Sequence, residues 1–175
     1  MKPAQLFLCI ALLTAFVFTG CKKDKEPVSL IKKVTVQLSG AQEVPAITTT
    51  GNGTAEISYD PTIKIITYKV TWMLGNSAAT TSNMHFHGSD DGSDLVSSGV
   101  AIGITGFATG SSGTLSGMTV ALTDVQAAQL LAGKWYVNIH SSTVGSGELR
   151  GNIKFQGSGQ PSGGSGQPSG EPYPY

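Results

Sequence analysis

The chain of 175 residues contains three histidines, two of them one residue apart in Asn83-Met84-His85-Phe86-His87-Gly88. The third, His140, closes Trp135-Tyr136-Val137-Asn138-Ile139-His140. Side chains along a strand alternate between its two faces. On that period His85 and His87 share one face and Met84 and Phe86 the other, while Tyr136, Asn138 and His140 oppose Trp135, Val137 and Ile139. Neutral imidazole is the commonest metal ligand, and copper or zinc suits it best. Two neighbouring strands can thus present a three-nitrogen site on the face turned away from the core, with Glu148 or Asp90 completing the shell and Tyr136 or Asn138 orienting the rings. The competing reading is of hydrogen-bonding histidines on the wet face of an antiparallel sheet.

Other chemistry has less to stand on. Gly88-Ser89-Asp90-Asp91-Gly92-Ser93-Asp94 carries three carboxylates but lacks the ordered spacing and terminal Glu of a calcium-binding EF-hand, and reads as a solvated turn. Glu148 and Arg150 share a strand face, which suggests mutual charge pairing or hydrogen bonds to nearby loops. An acid/base pair made from Glu148 and the Asp90 to Asp94 cluster would need a cleft and a fixed separation that spacing alone does not supply. No nucleophile stands beside a base, so the residues point to binding rather than catalysis.

The elements that must position the histidines are strands. Ser29 to Leu38 reads as a first strand through Ile31, Val34, Val36 and Leu38. The segment Ala41 to Ala46 lacks periodicity, and Pro45 confines it to an edge or a crossing loop. Gly53 to Tyr59 and Ile63 to Leu74 flank the turn residues Asp60-Pro61-Thr62 and predict a hairpin. In its second strand Ile66, Tyr68, Val70, Trp72 and Leu74 form a dry face. The histidine strand follows at Thr80 to His87, and Val96 to Ala108 and Gly113 to Met118 are glycine-rich extended segments. Thr123-Asp124-Val125-Gln126 has the form of a capping box, and Val125, Ala128 and Leu131 or Ala132 follow at helical spacing up to Gly133. That predicts one short helix as a lid on the end of the fold. Trp135 to Ser142 and Gly147 to Phe155 complete the strands, with Leu149, Ile153 and Phe155 inward and Glu148, Arg150 and Asn152 outward.

At the N-terminus, Lys2 precedes an apolar run from Leu6 to Phe18, then Thr19-Gly20-Cys21 and the charged Lys22 to Glu26. The apolar run is short for a membrane span and reads as a secretory signal. Phe18-Thr19-Gly20-Cys21 resembles a bacterial lipobox, which would make Cys21 the acylated first residue of the mature chain, anchored in a membrane of the cell envelope, periplasmic or surface-exposed. Cys9 falls in the discarded segment, so no disulfide remains to staple the fold. Lysine plus arginine balance aspartate plus glutamate at 11 each, which gives no electrostatic reason for a nucleic-acid partner. The divisions expected are a signal at 1–20, a tether at 21–30, one domain at 31–156, and a Gly/Ser/Pro/Gln-rich tail at 157–175 whose composition buries nothing.

Leu38-Ser39-Gly40-Ala41-Gln42-Glu43-Val44-Pro45, Met84-His85-Phe86-His87-Gly88, and Trp135 to His140 followed by Gly147-Glu148-Leu149-Arg150-Gly151 together resemble the CHRD domain. That domain is named from repeats in chordin, an extracellular antagonist of bone morphogenetic proteins, and also occurs in bacterial secreted proteins. The resemblance spans Val34 to Phe155 and marks Gln42, Glu43, Pro45, Gly147, Glu148, Arg150 and Gly151 as motif positions. It implies an extracytoplasmic, immunoglobulin-like antiparallel β-sandwich or barrel; the anchor, the single sandwich and the lack of a nucleophile beside a base make a binding or interaction module, with a protein or glycan partner, the expected role. Met84 stands where the family often has alanine, and a proline often found before the glycine-glutamate pair is missing. The outward H-x-H with a later strand histidine is also similar to the copper site of copper-zinc superoxide dismutases, by which His85, His87 and His140 would be copper ligands. The chain lacks that family's fourth histidine, its zinc histidines and its cysteine pair, so full dismutase activity is not expected.

Overall fold

The computed structural model describes residues 30–88, 91 and 94–156. Cys21, Asp90, the signal segment, most of the tether and the C-terminal tail lie outside these residues. The described residues form eight strands and one helix: β1 (Lys32–Ser39), β2 (Asn52–Asp60), β3 (Ile65–Met73), β4 (Thr81–Gly88), β5 (Val100–Gly103), β6 (Ser112–Met118), α1 (Asp124–Leu131), β7 (Trp135–Ser141) and β8 (Leu149–Ile153). All pairings are antiparallel. They build one sheet in the order β5-β4-β7-β8-β1-β2-β3-β6, curled into a half-barrel. The expected all-β architecture with a single short helix is therefore the one observed.

The curl is closed by the alternation already visible in the sequence. Val36 and Leu38 from β1, Ile57 and Tyr59 from β2, and Ile66, Tyr68, Val70 and Trp72 from β3 point inward with Met84, Phe86, Val137, Ile139, Leu149 and Ile153. Phe86 lies edge-on to Tyr68, with ring centroids 5.4 Å apart, and joins the two halves of the sheet across the core. The Trp72 indole N–H donates to the Thr81 hydroxyl at 2.7 Å, so this buried polar group is satisfied. Fully burying such side chains contributes roughly 1.5–3 kcal/mol each, and the chain needs no disulfide for its core.

Three expectations require correction. β1 begins at Lys32 rather than Ser29, and only Val100–Gly103 of the segment Val96 to Ala108 pairs as a strand. The capping box at Thr123 and Gln126 forms as predicted, and Gly133 takes a positive φ of 73° just past the helix. The buried stripe of α1 is Ala127 and Leu130, however, while Val125 and Leu131 face outward. Both stripes fit helical spacing. Leu122 and Trp135, which flank the helix in the sequence, are buried with that stripe of Ala127 and Leu130.

The register sorts the loops into two ends. Lys32 pairs with Tyr59, Asp60 with Ile65, and Thr67 with Met118, so the entry of β1, the β2–β3 turn and the exit of β6 lie together. Trp135 pairs with Ile153 and Gly88 with Trp135, which brings α1 and the exit of β8 to the same end. The connections 40–51, 74–80, 104–111 and 142–148 gather at the opposite end.

Candidate metal centre

β4 and β7 are in register across His85↔Asn138, His87↔Tyr136 and Asn83↔His140. The pleat therefore places all three histidines on the outer wall, as their spacing predicts, while Met84, Phe86, Val137 and Ile139 fill the core. Among the described residues, His85, His87 and His140 form a cluster in which one ring nitrogen from each lies within 4.8 Å of the others. The nearest pair, His85 Nδ1 and His140 Nε2, is 3.3 Å apart. Two nitrogens bound to one tetrahedral ion at 2.0–2.1 Å are themselves about 3.3 Å apart.

Two rings are oriented by backbone carbonyls. His87 Nδ1 donates to the Ser98 carbonyl and His140 Nδ1 to the Gly145 carbonyl, each at 2.9 Å. A carbonyl only accepts, so in both neutral rings the proton sits on Nδ1 and Nε2 carries the lone pair. This is how protein metal sites commonly fix their ligand tautomers. His87 Nε2 is buried without a hydrogen-bond partner, which is costly for a polar atom unless something binds it. Burial, reinforced by the neighbouring imidazoles, holds the His85 pKa below the ordinary histidine value. Burial does the same for His87, against the opposing hydrogen bond to Ser98. Both rings are thus kept in the neutral, ligating form.

His87 also stacks flat on Tyr136, with centroids 4.7 Å apart and an interplanar angle of 3°. On the same tyrosine ring sits the Arg150 guanidinium, 3.6 Å from the centroid. The Tyr136 hydroxyl receives the Ser98 N–H at 3.0 Å, and Arg150 Nη1 donates to the Val96 carbonyl at 3.1 Å. The segment from Val96 to Ser98 is consequently fastened over the outer wall by the same residues that hold His87.

That covering corrects the expectation of a uniformly wet face. Tyr136, Asn138 and Arg150 are buried beneath loops, and His87 is only 8% exposed. Tyr136 does orient a histidine, but Asn138 turns away to donate to Glu43 Oε1 at 2.5 Å. Burial pushes the Glu43 carboxyl up to about 7, against the opposing effects of Arg150 and the Asn138 amide. Glu148 and Arg150 serve different loops rather than each other. Glu148 Oε1 accepts from the Thr49 hydroxyl at 2.8 Å and the Gly75 N–H at 2.7 Å. Burial alone would raise the Glu148 carboxyl, but the Ser141 hydroxyl, the Gly75 N–H and the Thr49 hydroxyl hold it below the usual carboxylate range. Engaged in this way, Glu148 lies outside the histidine cluster, and its expected role as a fourth ligand is not met.

The remaining motif positions are also fasteners. Gln42 Nε2 donates to the Gln37 carbonyl at 2.7 Å, and its Oε1 receives the Asn152 N–H at 3.2 Å. Pro45 follows a cis peptide bond in the loop that carries Glu43 over the wall. Gly147 has φ of 126°, and a Cβ there would collide with Asn138 and lie 2.9 Å from Glu43 Oε1. A Cβ on Gly151 would meet Leu38 at 2.5 Å. The contributions that sequence reasoning missed are the Ser98 and Gly145 carbonyls. They carry no side-chain signature, and only the loop paths bring them to the rings.

Fold and site together define an all-β domain with a histidine cluster mounted on its outer wall. The CHRD domain family model matches residues 34–153, and the chain belongs to that family. No curated protein and no solved structure matches it.

Proposed function

We propose that this chain is an envelope-anchored CHRD module whose outer wall binds one copper or zinc ion through His85, His87 and His140. The observation that carries the reading is His87 Nε2, buried without a partner within a three-histidine cluster in which the His87 and His140 tautomers are already set. His85 completes the set as the tautomer that carries its proton on Nε2, which frees Nδ1 for the ion. With three neutral nitrogens, affinity should follow the general order that puts copper(II) above zinc. Three protein ligands leave a coordination position for water or for a group offered by a protein or glycan partner. No catalytic step is assigned to the module.

Anchorage is proposed at Cys21, from the lipobox-like Phe18-Thr19-Gly20-Cys21. No helix among the described residues is long and apolar enough to cross a membrane.

The test is titration of a chain starting at Cys21 with copper(II) and zinc, with bound-metal analysis, beside the triple variant His85→Ala, His87→Ala, His140→Ala. One ion per parent chain and none on the folded variant is the expected result. Equal binding by both proteins would remove the histidines from any metal role.

A further inference from the structure

The exposed large apolar side chains are unevenly distributed over the surface. Leu30 and Ile31 at the entry of β1, Ile63 in the β2–β3 turn, Met118 and Val120 after β6, and Val125 on α1 are all exposed, Val120 by 74%. The strand register brings the elements that carry these residues to the same end of the half-barrel. Among the described residues Met73 is the comparable side chain at the opposite end, while Leu95, Val96 and Val100 follow β4 and Leu131 is on α1. Apolar groups concentrated in this way mark a contact surface.

The chain itself indicates the occupant. Residue 30 enters the sheet at this apolar end, and Cys21 stands nine residues earlier. Nine residues reach at most about 30 Å fully stretched, and about 15–18 Å on average for a flexible chain. The eight residues of β1 already span about 26 Å. An average tether is therefore shorter than the half-barrel is tall, and it holds the entry end, not the opposite one, against whatever surface carries Cys21. Lys32, Lys33 and Lys64 stand at this end, against Asp60 and Asp124, with Lys64 and Asp124 paired. The tether adds Lys22, Lys23 and Lys25 against Asp24 and Glu26. Apolar side chains with a small excess of lysine at the same end suit the boundary between phospholipid headgroups and acyl chains.

We propose that this end is a membrane-contact surface, with Ile63, Met118, Val120 and Val125 resting in the phospholipid headgroup layer. The proposal rests on the anchorage inferred at Cys21. It orients the molecule: β4 and β7 stand upright on the membrane, and the loops beyond His140 point away from it.

Every buried core residue lies between Val36 and Ile153, so a chain starting at Cys21 holds the whole core. The experiment couples that chain through Cys21 to a maleimide lipid in mixed phosphatidylcholine and phosphatidylglycerol vesicles, with or without brominated acyl chains. Chemical coupling makes the result independent of whether a cell acylates Cys21, which labelled palmitate tests separately. Tryptophan is introduced as Val120→Trp, as Met118→Trp, or at the opposite end as Met73→Trp; the native Trp72 and Trp135 are buried and common to all three. Brominated lipid should quench the added emission of Val120→Trp and Met118→Trp at least twofold and leave Met73→Trp unchanged. Equal quenching at both ends, or none at Val120 and Met118, would overturn the proposal. So would a blue-shifted Val120→Trp emission without vesicles that dilution reverses, which would assign the surface to a second copy of the chain.

Discussion

Replacing Glu43 by glutamine should change how stability depends on pH. The Glu43 carboxyl is carried over β7 by the loop after β1 and accepts from Asn138, with its pKa raised from 4.5 to about 7, chiefly by burial. In the unfolded chain the group ionises near the lower value, so between the two values the folded state binds more protons. Stability then falls as pH rises through that interval and is level on either side of it. At about 1.4 kcal/mol per pKa unit, the full effect is at most about 3 kcal/mol. Glu43→Gln keeps an oxygen to accept the Asn138 N–H and removes the titration. The stability of Glu43→Gln minus that of the parent should therefore climb by about 2–3 kcal/mol between pH 4.5 and 7.5. His85 and His87, with lowered values, push the other way as pH rises towards 6.5. They are common to both proteins and cancel in the difference. Urea unfolding followed by Trp72 and Trp135 fluorescence, in chelator, measures it. A difference that stays flat across this range would show that Glu43 ionises as freely in the fold as in the unfolded chain.

Four further outcomes follow from the same contacts. Gly147→Ala should destabilise by about 2–4 kcal/mol, because the left-handed backbone and the collision with Asn138 act together; thermal or urea unfolding reads it. Tyr136→Phe keeps the stack on His87 and loses the hydroxyl bond to Ser98, so it should cost about 1 kcal/mol and weaken copper binding less than Tyr136→Ala, for which about 10–100-fold is expected in a titration. Thr123→Ala removes the cap of α1 and should lower stability by about 1 kcal/mol without changing metal stoichiometry. Copper(II) at about 100 times its dissociation constant should raise parent stability by about 2.7 kcal/mol, seen as a higher Tm that chelator reverses and that the triple alanine variant lacks.

Much of this architecture was legible in the sequence, because a period of two leaves little freedom. Once Met84 and Phe86 must be buried, His85 and His87 go to the other wall, and Trp135, Val137 and Ile139 send His140 after them. The capping box of α1 is equally local, written in Thr123 and Gln126. The roll of the helix was not legible, since both stripes fit helical spacing and only packing against the core selects Ala127 and Leu130. Nor was the covering of the outer wall. Glu43 reaches Asn138 across ninety-five positions, and Ser98 reaches His87 from a loop whose path no periodicity encodes. Glu148 and Arg150, expected either to pair with each other or to hydrogen-bond nearby loops, take the second role and tie those loops down.

β8, the last strand among the described residues, sits in the middle of the sheet, hydrogen-bonded to β7 on one side and to β1 on the other. Before it arrives, β1-β2-β3-β6 and β5-β4-β7 are two ribbons with no shared seam, and each exposes an edge that β8 would fill. Such edges recruit strands from other chains. The domain cannot be finished piecemeal as it emerges, because its central strand is synthesised after the seven others described. A chain cut before Leu149 should therefore accumulate as aggregate rather than as a smaller version of the fold. The cluster of histidines inherits that timing: the β7–β8 turn that supplies the Gly145 carbonyl is set only once the final strand has locked into place.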